Sequence, residues 1–108
     1  MANPYRGDVE IWLDGAPRTA RLTLGALAEM EAGMQADGLV DLVERFENGR
    51  FTTRDVLGLI VAGLRGAGWQ GKMDDLLACQ VGDGSASGPV PAARLAAQLL
   101  MRAFGPGA

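Results

Sequence analysis

The sequence has no histidine and a single cysteine, Cys79. Without histidine it lacks the commonest general base at neutral pH and the commonest metal ligand. One cysteine forms no intrachain disulfide, and a reducing compartment is the natural reading. Aromatic residues are scarce, at 6%, so aliphatic side chains, alanine and methionine must fill the interior. The 10 basic residues are scattered singly, whereas a nucleic-acid surface needs them clustered. No apolar run reaches membrane-spanning length, because Asp55 and Arg65 bracket the most apolar stretch. The N-terminus lacks the basic-then-apolar order of a signal peptide. Together these absences predict a cytoplasmic protein that engages neither membrane nor nucleic acid.

What is present is an ordinary globular composition, with 48% hydrophobic and 21% charged residues and a net charge of -3. A chain of 108 residues suits one domain, 1–108, able to bury a core without staples. Its centre is the run Phe51 to Trp69. Thr52 and Asp55 have the spacing of a capping box, and Gly66 and Gly68 supply a helix stop. At 3.6 residues per turn Val56, Leu57, Ile60, Val61 and Leu64 share one broad face, the predicted core. Gly58, Ala62 and Arg65 fall opposite, where a neighbouring backbone or water has room.

Before this helix, Val9, Ile11 and Leu13 alternate with Asp8, Glu10 and Trp12, the period of a half-buried strand. Asp14-Gly15 is a hairpin signal and Pro17 cannot donate to a ladder. Alternation resumes from Arg18 to Leu24 with Ala20, Leu22 and Leu24 inward. A hairpin over 8–24 is marginal alone and must lie on the helical part, 24–104. Thr23 caps a helix to about Gln35, with Leu24, Leu27, Met30 and Met34 as its stripe and Glu31 at the rim. Asp37 caps the next, Gly38 to Asn48, which buries Leu39, Leu42, Val43 and Phe46. Lys72 to Val81 reads as a short helix burying Met73, Leu76, Leu77 and Val81. Gly82 to Gly88 reads as a flexible connector. The last helix, Pro91 to Phe104, has a broad stripe of Val90, Ala93, Ala97, Leu100, Met101 and Phe104, predicted to face inward. The expected fold is α+β, mainly α: an N-terminal β-hairpin packed on a bundle of about five short helices.

No constellation carries chemistry. Asp74 and Asp75 are adjacent, so on a helix they point about 100° apart and do not converge. Asp83 sits among glycines but lacks the further ligands of a calcium loop and the Lys-Ser/Thr of a phosphate loop. Cys79 has no activating base. The expectation is a protein that is not an enzyme, with no catalytic, cofactor-binding or metal residues. Two features point to contact with other proteins. Leu95 and Leu99 form a pair outside the predicted inner stripe, and Trp12 stands outward on a hairpin with open edges. With Arg21 and Arg102, these are the candidate partner-binding residues.

Four segments carry a family resemblance: Val9-Glu10-Ile11-Trp12-Leu13-Asp14-Gly15, Arg21 to Glu31, Phe51 to Leu57, and Ala62 to Gly68. Their order and spacing resemble the gene transfer agent tail assembly proteins, encoded among the tail genes of phage-like gene transfer agents in alphaproteobacteria. That family is grouped with phage tail assembly chaperones and is also described as tail tube proteins. The likeness extends over nearly the whole chain, although the Gly82 to Gly88 insert looks longer than the family usually carries. It implies a non-catalytic chaperone that binds the tape measure protein, the tail tube protein or both. The alternative it implies is a permanent tube or connector subunit. Homo-oligomerisation stays open.

Overall fold

The computed structural model describes residues 7–32 and 38–104. The elements run β1 (Val9–Leu13), β2 (Ala16–Ala20), α1 (Leu24–Ala32), α2 (Gly38–Glu47), α3 (Thr53–Gly66), α4 (Met73–Leu77), β3 (Val81–Gly82) and α5 (Pro89–Phe104). The architecture is α+β and mainly helical: a β-hairpin followed by five helices. Met34, Gln35 and Asp37, expected as a stripe residue, a helix end and a cap, lie outside the described residues.

The hairpin closes through Asp14 and Gly15, both at positive φ, the conformation that a tight two-residue turn demands. Val9, Ile11 and Leu13 are buried, and Glu10 faces solvent. Three details differ from the alternation. Asp8 is buried and ion-paired with Arg21, whose Nε lies 2.5 Å from its carboxylate. The second strand ends at Ala20, and Leu24 is exposed at the start of α1 instead of facing inward. The third is an added strand. Val81 and Gly82 do not finish a helix; they pair antiparallel with Leu13 and Trp12, giving the order β2-β1-β3. Asp14 reinforces this junction, since its N–H donates to the Gln80 carbonyl and its carboxylate accepts from the Gln80 N–H.

Helix α3 is where everything meets. Its capping box is formed: Thr52 Oγ1 accepts from the Asp55 N–H, and the Asp55 carboxylate accepts from the Thr52 N–H. It stops in a Schellman arrangement, with the Trp69 N–H on the Leu64 carbonyl and the Gly68 N–H on the Arg65 carbonyl. Gly68 carries the positive φ. Gly66 remains helical and serves another purpose. A Cβ there would lie 2.1 Å from the Arg21 carbonyl oxygen, so the backbone just after β2 rests directly on the helix backbone. The Arg21 N–H donates to the Gly63 carbonyl at 2.8 Å, and Leu99 of α5 sits over Gly63. The close approach therefore occurs at Gly63 and Gly66. Gly58 faces open space.

Val56, Leu59, Ile60 and Leu64 are buried in one hydrophobic cluster that includes both the hairpin and α5. Leu57 and Val61 are half-buried and pack on it. Leu76 is buried, but Leu77 is exposed because α4 is one and a half turns long and offers a single inner position. Arg45 spans α2 and α3: it pairs with Asp41 in its own helix, and its Nε and Nη2 reach the two Asp55 oxygens at 3.1 and 2.8 Å.

Candidate partner-binding surface

The last helix decides which surface is free. At 100° per residue, Arg94, Gln98 and Arg102 line one edge, and the apolar residues spread over about 240° of the remaining circumference. That arc is too wide for one contact. The side that meets the core is Ala92, Leu95, Ala96 and Leu99, with Leu95 4% and Leu99 1% exposed. The proposed outward pair is thus interior, and this corrects the sequence reading. The physical reason is Gly63, which lets Leu99 approach α3 more closely than any residue with a side chain would allow.

The expected inner stripe is correspondingly turned outward. Val90 is 60%, Met101 65% and Phe104 50% exposed. Ala93 and Ala97 are half-buried, and only Leu100 of that stripe is buried. Between this face and α2 runs an open groove of about 320 Å³ lined by Val43, Phe46, Glu47, Ala97, Leu100, Met101 and Phe104. The surface was legible as apolar in the sequence but assigned to the wrong side. The width of the arc was the available signal, since one helix cannot bury 240° against a single neighbour.

The other predicted residues do not converge on this groove. Arg21 is committed to Asp8. Trp12 stays on the outer face of the sheet, but the Gly82–Gly88 loop folds against it, and a Cβ on Gly84 would lie 2.8 Å from the indole nitrogen. That loop is a defined turn, not a slack connector. Asp83 Oδ1 accepts from the Ser85 and Ala86 N–H groups and from the Ser85 hydroxyl, and Gly82 bridges to Ser87. Those donors hold the Asp83 carboxyl below the ordinary carboxylate range. Arg102 is half-buried, and its Nε has no hydrogen-bond partner among the described residues.

Among the other grooves, two exceed the one between α2 and α5 in volume. The larger, about 630 Å³, lies between α1 and α3 and is crossed by the Arg65–Glu29 pair at 3.1 Å. The other, about 440 Å³, runs beside Cys79, Val81 and Ala92. Burial and the nearby Asp14 carboxylate push the Cys79 thiol up, away from the reactive thiolate. Among the described residues no group of three or more acidic or cysteine side chains is placed to hold a metal ion. No described helix is long and apolar enough to cross a membrane.

The fold and surface define a small α+β protein whose distinguishing feature is an apolar helical face left open to solvent. The family described as phage tail tube protein, GTA-gp10, matches residues 6–106, and the chain belongs to that family. It is thus a gene transfer agent and phage tail family protein, which implies contact with other tail proteins. No curated protein and no solved structure matches the chain.

Proposed function

We propose that this protein is a non-catalytic tail assembly chaperone of a phage-like gene transfer agent, acting in the cytoplasm as one domain over residues 1–108. It binds the tape measure protein, the tail tube protein or both before the tail is complete. The observation that carries this reading is the exposed face of α5, where Met101 and Phe104 stand in solvent beside a groove. Monomeric proteins seldom leave a contiguous apolar strip uncovered without a partner for it. Methionine suits such a strip, because its flexible thioether repacks around different surfaces.

A second reading is favoured by the family's description as a phage tail tube protein: a subunit that stays in the tube or its connector. Quantitative mass spectrometry of purified particles separates the two. The chaperone is expected in producing cells, co-purifying with unassembled tail proteins, and absent or far below stoichiometry in finished tails. Stoichiometric presence in those tails would replace the first reading with the second.

A further inference from the structure

The groove between α2 and α5 has the form of a helix-packing site with one helix missing. Val43 and Phe46 form one wall and Ala97, Leu100, Met101 and Phe104 the other. Val40, one turn before Val43, is exposed and continues the α2 wall. The α5 face runs from Val90 to Phe104, about 20 Å at the helical rise, or some four turns. Both walls are helices whose backbones are already hydrogen-bonded, so they offer no ladder to a strand. A helix laid in the groove needs none.

Charge narrows the occupant. Glu47 lines the groove, Glu44 three residues earlier is its exposed neighbour on the helix surface, and among the described residues neither carboxylate forms an ion pair. Helix α5 contains no carboxylate; Arg94 and Arg102 are its charged residues. The acidic edge of the groove therefore belongs to α2 alone and faces whatever enters.

Resting on the tail-assembly reading, we infer that the groove takes one amphipathic helix of a tail protein. That helix carries apolar residues at i, i+3 or i+4, and i+7, and a flank of lysine or arginine that meets Glu44 and Glu47. The apolar residues supply affinity. The basic flank sets the orientation and rejects acidic helices.

The test uses the full chain with purified tape measure and tail tube proteins, first whole in a pull-down. Overlapping helix-length peptides from both are then titrated by fluorescence anisotropy. The bound peptide is expected to have a basic flank. Met101→Glu with Phe104→Glu should weaken it about tenfold or more. Glu44→Gln with Glu47→Gln should weaken it as well and abolish its salt dependence. All four side chains are exposed, so circular dichroism and thermal midpoint should stay unchanged. If the double glutamate variant loses its fold, single Met101→Ala and Phe104→Ala variants carry the same test. Capture of a whole tail protein that these variants leave intact overturns the groove assignment but not the assembly role. Failure of wild type to capture either protein overturns both. Preference for acidic helices, or a sedimenting dimer that the variants dissolve, assigns the groove to another occupant and also overturns the inference.

Discussion

Glycines within one helix have opposite roles here, and substitution should reveal it. Gly58 and Gly66 both lie in α3, and in a helix interior alanine is normally better by roughly 0.5 to 1 kcal/mol. At Gly58 nothing stands near an added Cβ, so Gly58→Ala should stabilise by about that amount. At Gly66 the Arg21 carbonyl blocks it, and Gly66→Ala should cost about 2 kcal/mol through overpacking. Urea denaturation of both variants reads the difference in sign. The same residue scale settles α5. Leu99→Ala should cost about 2 to 5 kcal/mol as a core truncation, whereas Met101→Ala should stay within about 0.5 kcal/mol. Leu95→Asp with Leu99→Asp should unfold the chain, read as loss of the cooperative thermal transition.

At the scale of elements, the start of α3 makes stability depend on acid. Burial works against the Asp55 charge, but hydrogen bonds from Arg45 and Thr52 outweigh it, and its folded pKa lies below the ordinary 3.8. The unfolded state therefore binds the proton more readily. The stabilisation is complete above the ordinary carboxylate range and is lost as pH falls through the lower folded value. Arg45 is shifted the other way by the Asp55 hydrogen bond, so its own titration lies far from this window. Asp55→Asn should flatten the acid limb of a plot of urea midpoint against pH, while wild type drops. An equally steep limb in the variant would assign the acid sensitivity to other carboxylates. The elements most readable in the sequence were those with local chemistry at their ends: Asp14-Gly15, Thr23, the Thr52–Asp55 pair and Gly68. What could not be read was set by distant partners. Val81 and Gly82 are too few to show alternation, and they form a strand because Trp12 and Leu13 offer a ladder. Leu59, fully buried, is not singled out by the sequence pattern because the helix is apolar on several sides. Helix α5 was turned outside in, because its wide apolar arc matched two orientations and Gly63 on another helix chose between them.

At the scale of the whole molecule, one core cluster joins the hairpin, α3 and α5. A single cooperative unfolding transition is expected. Trp12 reports on the sheet and Trp69 on the end of α3, so fluorescence of each, in variants lacking the other, should follow the same melting curve as helical circular dichroism. Separate midpoints would mean that the sheet and helices are independent units. The binding residues were less legible than the fold. Sequence patterning identified a helix with more apolar surface than one neighbour can cover, yet the choice of outer face depended on packing between segments more than thirty residues apart.

The sheet has a consequence for what this protein can recruit. Proline at position 17 and Arg18 stand on the outer strand, and β3 occupies the part of β1 nearest the turn, so little of either margin is left to template a foreign strand. Such a sheet gives a growing fibril little backbone on which to begin.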